Sequence, residues 1–444
     1  MAMVTASCSH LFCSVIVFFL SIVSSSNAST LLLQQHSPLG QRVYLDLVSS
    51  SLVRALRLKN PQTTTVPLMN NVIGVYNVPL RFGTPPQNLT FVMDTGSNFV
   101  WHPCSSRYIC KNCSLYLPTP TTKIRTFIPT HSSSSRIVSC RNPKCSWINH
   151  RVSRCHNETD RCSPYFILYS TGDTSGFPIL DTLRLRDLTV PDFLMGCSTI
   201  TTAQPAGIAG LGRGPASFSS QLNLTKFSYC SQSINNQSAH SNILLDYSHT
   251  GSGKKTKGMV YTPFLKNPRI DGKSAYLAYY YVGLRRITLG GKKVRVPYKY
   301  LTPDQFGNGG AVIDSGSPLT FLTRGIFDPL SNELISQMNV RGHKRNIDAE
   351  ISGLSPCFDV LADDLSFPKL KFHFKGGTVQ LLRLENYMAP AGNDSTTLCL
   401  AFTTDQGGGE EGPAVVLGNF QFQNFYIEYD LSNERLGFKR QRCK

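Results

Sequence analysis

Charge is scarce in this 444-residue chain: Asp, Glu, Lys and Arg together make up 16 % of it. That scarcity, with 34 Gly and 26 Pro, disfavours a helical protein and suits a β-rich, loop-rich one. Away from the N-terminus, no stretch reaches the ~20 apolar residues that a membrane span requires. No apolar tail follows Arg442-Cys443-Lys444, which argues against a lipid anchor added at that end. The His-x-x-x-His spacing of a metalloprotease is absent. The ten histidines are scattered, and none stands beside a Ser or Cys motif, so nucleophilic Ser-His or Cys-His chemistry has no support. Cys110-x-x-Cys113 has no second ligand pair at zinc spacing. The glycine-rich run Ala206 to Gly214 lacks the Lys-Ser/Thr that completes a phosphate cradle.

What is present is a duplication. Phe91-Val92-Met93-Asp94-Thr95-Gly96-Ser97 recurs as Ala311-Val312-Ile313-Asp314-Ser315-Gly316-Ser317. Each copy is an apolar β-type run ending in Asp, a small hydroxyl residue, Gly and Ser. The pattern predicts a buried strand leaving into a tight loop, with Gly96 and Gly316 where a side chain would clash. One copy alone fits any strand exit. Two copies half a chain apart imply duplicated lobes and two carboxylates facing each other. Such a pair cannot ionise twice cheaply, so it holds one proton over an acidic range. The ionised member can deprotonate a water while the protonated member polarises a carbonyl, which is peptide hydrolysis without metal, cofactor or covalent intermediate.

The N-terminus points to export. Leu11 to Val23 is almost wholly apolar and Ser24 to Ala28 is small and polar, which reads as a signal peptide over residues 1–28; a membrane anchor is the competing reading. Beyond it remain twelve of the 14 cysteines, an even number in an oxidising route, so a disulfide framework is expected. Sequons at Asn88, Asn157, Asn223, Asn236 and Asn393 are glycosylation candidates; a sixth, Asn112, precedes a cysteine. The net charge of +17 predicts either a solvated basic surface or attraction to an acidic matrix such as cell-wall polysaccharide. No nucleic-acid motif accompanies it.

Asp94-Thr95-Gly96-Ser97 and Asp314-Ser315-Gly316-Ser317 resemble the two active-site loops of the pepsin-like aspartic proteases. Gly83-Thr84-Pro85-Pro86-Gln87 before the first loop and the last 30 residues are similar to the plant, nepenthesin-like branch. The resemblance runs from about residue 74 to 443. It implies an all-β, bilobal fold with a few short helices and a central cleft. Residues 29–70 would be a short prosegment, 71–250 an N-terminal β lobe with a Cys-rich insertion at 102–162, and 259–444 a C-terminal β lobe.

By the same resemblance, Asp94 and Asp314 would bind the attacking water. Thr95 and Ser315 would cross-link the loops, and Ser97 and Ser317 would donate to the outer carboxylate oxygens. Tyr165 to Leu185 resembles the flap, with Tyr169 its tyrosine and Trp101 the indole that holds it. Ser170 stands where the family usually has Gly, and Pro318 is an uncommon neighbour of the second loop. The implied disulfides are Cys104–Cys110, Cys113–Cys197, Cys140–Cys162, Cys145–Cys155, Cys230–Cys443 and Cys357–Cys399.

Gly207 to Gly210 and Val415 to Asn419 would back the two aspartates. Ser217 to Leu222 would be a short helix, Tyr276 to Leu284 a strand, and 326–338 an amphipathic helix with Phe327, Leu330, Leu334 and Met338 inward. The expected activity is endoproteolysis of protein or peptide substrates at acidic pH. The expected molecule is a monomer, free of membrane once the signal is removed, in the extracellular space or wall, or else in the vacuole. The competing class is a pepsin-fold binding protein, such as a xylanase inhibitor that has lost a complete dyad; both Asp motifs are intact here.

Overall fold

The computed structural model describes residues 63–70, 74–113, 124–148, 160–169, 172–204, 206–233, 240–247, 255–270, 274–360, 366–391, 396–405 and 411–443. Among them, strands dominate. In Tyr76–Phe82, the alternation Tyr76, Val78, Leu80, Phe82 turns one face inward, as a half-buried strand must. Gly83 then takes φ +102°, which a side chain would resist, and the chain returns as Gln87–Asp94, antiparallel to Tyr76–Phe82. Phe82, Phe91 and Phe193 meet in this core with ring centroids 5.7 and 5.5 Å apart; each ring withdrawn from water contributes ~2–3 kcal/mol.

Two halves of the chain are joined through one sheet. Six strands lie side by side in the order Val260–Pro263, Arg435–Arg440, Phe425–Asp430, Lys226–Ser231, His240–Asp246 and Thr63–Asn70. The seam is Lys226–Ser231 against Phe425–Asp430, residues some 200 apart in sequence. Aromatic rings cover it: Tyr429 stacks on Phe227 at 4.4 Å and meets Tyr280 edge-on at 4.9 Å. This layer fixes the two halves against each other directly beneath the duplicated loops. Residues 63–70, placed by sequence in the leader, form a strand here, with Val66 and Leu68 buried and seven residues in register with His240–Asp246.

The second half adds three smaller sheets and the long helix Arg324–Val340, whose Ile326, Leu330, Leu334 and Met338 are buried. Phe218–Gln221 is a single helical turn capped by Ser217. The expected strand Tyr276–Leu284 is broken. Ser274–Leu277 coils into a 3-10 turn, and only Tyr280–Val282 and Leu284–Leu289 are extended. Tyr276, Ala278 and Tyr280 are buried while Leu277 is exposed, the alternation that makes the run read as a strand, yet the backbone at Ser274–Leu277 turns instead of pairing.

The disulfides correct the sequence expectation in the insertion. Cys104 pairs with Cys197, not Cys110; Cys113 pairs with Cys110, not Cys197; Cys162 pairs with Cys145, not Cys140. Tertiary pairing is the reason. Val100–Pro103 runs parallel to Thr189–Thr202 with His102 opposite Cys197, which brings the Cα of Cys104 to 5.0 Å from that of Cys197. Cys110 and Cys113 then face each other across one turn, with Cα atoms 5.8 Å apart. With Cys145 bonded to Cys162, it cannot bond Cys155, which lies outside the described residues; Cys140 is also disulfide-bonded. Cys230–Cys443 and Cys357–Cys399 are the links shared with the implied set.

Candidate active site

Each aspartate is held by the same three-strand device. Gln87–Asp94 lies parallel to Gly207–Gly210, which is antiparallel to Val100–Pro103. Ala311–Ile313 lies parallel to Val415–Leu417, which is antiparallel to Thr320–Leu322. The loop leaving each first strand is tied down on both sides. Leu211 donates its N–H to the Asp94 carbonyl at 2.7 Å, and Asp314 donates its own to the Leu417 carbonyl at 2.9 Å.

The two carboxyl groups receive matching donors. Gly96 N–H donates to Asp94 Oδ1 at 2.8 Å and Gly316 N–H to Asp314 Oδ1 at 2.8 Å. Ser97 Oγ donates to Asp94 Oδ2 at 2.5 Å and Ser317 Oγ to Asp314 Oδ2 at 2.7 Å. Between the loops, Ser315 N–H donates to Thr95 Oγ1 at 2.9 Å and Thr95 N–H to Ser315 Oγ at 3.1 Å. Each hydroxyl passes its own proton onward, Thr95 to the Ile313 carbonyl at 3.4 Å and Ser315 to the Met93 carbonyl at 2.9 Å. Thr95 and Ser315 are 0 and 1 % exposed, so these bonds are made without competing water. The bonds map onto each other when the loops are exchanged, which is local twofold symmetry.

The glycines explain the approach. A methyl carbon at Gly96 would lie 2.7 Å from Asp314 Cγ, and one at Gly316 would lie 2.6 Å from Asp94 Oδ1. No side chain fits at either place, and the two carboxyl groups come within hydrogen-bonding reach of each other. Asp94 is buried, and its carboxyl is pushed far above the ordinary aspartate range, first by burial and then by the charge of Asp314. The donors Ser97 and Gly96 oppose that rise without cancelling it.

A pair of interlocked loops thus presents one carboxyl group from each half of the chain. Residues 76–245 match the family described as xylanase inhibitor N-terminal, and residues 279–440 that described as xylanase inhibitor C-terminal. Aspartic proteinase nepenthesin-1 of Nepenthes gracilis is 30 % identical over 382 residues, covering 83 % of this chain and 78 % of that protein. The chain belongs to the pepsin-like aspartic protease family. Aspartyl protease AED3 of Arabidopsis thaliana is likewise 30 % identical, over 95 % of this chain and 88 % of its own. Among solved structures, that of edgp superimposes with a TM-score of 0.65 at 23 % identity, over 86 % of this chain and 95 % of that one. Soybean basic 7S globulin gives 0.63 at 17 % identity, over 86 % and 96 %. At these identities the structures speak for the fold alone.

Tyr165–Tyr169 pairs antiparallel with Gly172–Gly176 as a hairpin, and Ser170 lies outside the described residues. Trp101 Nε1 donates to the Tyr169 hydroxyl at 2.7 Å. Burial pushes that phenol well up, and the charge of Asp94 pushes it further, so the hydroxyl sits within electrostatic reach of the pair. Pro318 accepts from Phe420 N–H at 2.9 Å, which ties the end of the second loop to the chain behind it. His102 is buried against Phe91, with its pKa lowered to about 4 mainly by burial; it is a neutral core residue.

Several contributors escaped the sequence reading. Asn98 accepts from Gly214 N–H at 2.7 Å and so pins the first loop. Asn419 Nδ2 donates to the Ser315 carbonyl at 2.8 Å and to the Gly74 carbonyl at 3.1 Å, crossing between the halves. Tyr429 places its hydroxyl 3.4 Å from Thr95 Oγ1. Tyr279 carries a phenol raised to about 12, first by burial and next by the charge of Asp314. An Asn after the first motif and one after Leu417-Gly418 were visible signals; Tyr279 and Tyr429 were two among 18 tyrosines. Of the sequon residues, Asn88 and Asn223 are exposed, whereas Asn157, Asn236 and Asn393 lie outside the described residues.

Proposed function

We propose that the chain is an aspartic endopeptidase that cleaves protein or peptide substrates at acidic pH through Asp94 and Asp314. The observation that carries the reading is the matched set of donors on two carboxyl groups within hydrogen-bonding reach. One proton on the pair leaves one carboxylate to accept a proton from water as its oxygen attacks the scissile carbonyl carbon. The other carboxyl gives its proton to the carbonyl oxygen, and a gem-diol forms. The pair's remaining proton then passes to the amide nitrogen; as the C–N bond breaks, one gem-diol hydroxyl returns its proton to the pair and becomes the carbonyl of the product acid, so the pair regains its single proton. Closure of the hairpin bearing Tyr169 would exclude bulk water and strengthen these interactions.

A second reading, a pepsin-fold binding protein, is favoured by the family description, which names xylanase inhibitors. The two separate in one experiment. The purified, processed chain is incubated with a denatured protein across pH, with and without pepstatin, and tested in parallel against xylanases. Cleavage below pH ~5 that pepstatin blocks supports the protease; no cleavage together with tight xylanase inhibition sinks it. We further propose that the protein resides in the extracellular space or wall, with the vacuole as the competing site; disulfides are compatible with either oxidising destination. Microscopy of a fluorescent fusion under plasmolysis distinguishes them.

A further inference from the structure

The positive charge is not spread evenly. Residues 284–303 contain six Lys or Arg and residues 366–384 contain four, and neither stretch contains an Asp or Glu. These two stretches supply all four strands of one sheet: Lys292–Lys293, Leu284–Leu289, Leu370–Phe374 and Val379–Leu382, in that order. One face is apolar and buried through Ile287, Leu289, Leu370 and Phe372. The register decides what the other face shows. Thr288 stands opposite both Lys293 and Lys371, and Arg286 opposite His373, so Arg286, Lys293, Lys371 and His373 point outward together.

Lys292, on the helix side, is neutralised by Glu333 at 2.8 Å. No such partner is found for Arg286, Lys293 or Lys371 among the described residues. His373 instead meets more positive charge, with Arg286 Nη2 3.4 Å from its Nδ1 and Thr288 Oγ1 2.9 Å from its Nε2. Its pKa is lowered, first by burial and then by Arg286 and Lys371. Cations crowded onto one face without a counter-charge raise the local potential and attract an anion. Along the far strand the same face exposes Val379 and Leu381, each 41 % accessible.

We propose that this face binds an acidic polysaccharide. Uronate carboxylates would meet Arg286, Lys293 and Lys371, and the C–H faces of the sugar rings would lie on Val379 and Leu381. The Arg fork suits a carboxylate. Among the described residues of these four strands, no Phe, Tyr or Trp points outward to stack nucleobases, which disfavours a single-stranded nucleic acid. The disulfides fit an oxidising compartment, and in the wall proposed above uronate polymers, not nucleic acids, are the abundant polyanions. The face shares no residue with the catalytic loops, so the inference stands whether or not the chain is a protease.

The test is affinity electrophoresis of the full processed chain through gels containing de-esterified polygalacturonate, at low and high salt. The probes for comparison are fully methyl-esterified pectin, double-stranded DNA and vesicles of anionic phospholipid. The triple variant Arg286→Gln, Lys293→Gln, Lys371→Gln is compared with a control of equal charge change, Lys255→Gln, Lys257→Gln, Lys266→Gln. Near-native thermal unfolding is required of both, and the single variants replace any triple that fails to fold. The expected result is retention by polygalacturonate but not by its methyl ester, weakened about tenfold or more by the face variant and less than about threefold by the control. Equal losses in both variants, equal retention by the methyl ester, or tighter retention by DNA or vesicles overturns the proposal.

Discussion

Replacing Asp94 by Asn should make the protein more stable at neutral pH while removing its proposed activity. Asp94 is 7 % exposed and has Asp314 within hydrogen-bonding reach. Two unit charges about 5 Å apart at an effective dielectric of about 20 repel by ~3 kcal/mol. Burial of Asp94 adds to this cost, and the unfolded chain feels neither, so the carboxyl pKa is higher in the folded state than in the unfolded state. The folded state therefore binds the extra proton, and this group costs stability progressively as pH rises above the ordinary aspartate value. Asn is isosteric and uncharged, and it can be accommodated. Its Oδ1 can accept from Gly96 N–H, and the Ser97 hydroxyl can turn to accept from Nδ2.

The expected gain is ~3 kcal/mol at pH 7, or roughly 5 °C in Tm for a chain of this size, fading to nothing below pH ~4. Differential scanning calorimetry of the Asp94→Asn variant beside wild type, with pepstatin absent, reads both. A variant no more stable than wild type at pH 7, or a gain that persists at pH 3, would refute the reasoning about the pair.

Other outcomes follow from the same geometry. Removing both hydroxyls of the interlock, Thr95→Ala with Ser315→Ala, strands two buried N–H groups at ~1–3 kcal/mol each and should lower both kcat and Tm; unchanged Tm would show the bonds to be unimportant. Trp101→Phe removes the donor to Tyr169 and should reduce kcat/KM about tenfold on peptide substrates; because Trp101 is fully buried, Tm should fall as well, and an unchanged kcat/KM would show that the hydrogen bond does not position the hairpin. Cys104→Ala with Cys197→Ala opens a link spanning 93 residues and should cost about 2–5 kcal/mol in denaturant unfolding. Peptide mapping under non-reducing conditions should recover Cys104–Cys197 and Cys110–Cys113; recovery of Cys104–Cys110 would contradict the strand register.

How much the sequence could tell depended on how local each determinant is. Asp94 and Asp314 were legible because strand, carboxylate, hydroxyl, Gly and Ser are consecutive, and because the pattern occurs twice. Helix Arg324–Val340 was legible through its apolar spacing. The insertion disulfides were not, because Cys104 finds Cys197 through strand register set 93 residues away. Thr63–Asn70 falls by sequence within the short prosegment and becomes a strand because His240–Asp246 offers it an edge. Tyr279 and Tyr429 became visible as parts of the site only once the halves were packed. The basic face lies between these cases. Its residues were counted from the sequence, yet their confinement to one side of one sheet needed the pairing of Thr288 with Lys293 and Lys371.

The claim on which the protease reading rests is that Asp94 and Asp314 hold a single proton between them. Carbon-13 NMR titration of Asp side-chain carboxyls, in the processed chain and in its Asp314→Asn variant, measures this directly. The account predicts one carboxyl titrating well above the ordinary aspartate range, falling part of the way back when Asp314 is replaced. Ordinary titration of every aspartate carboxyl in the processed chain, unaltered by the substitution, would contradict it.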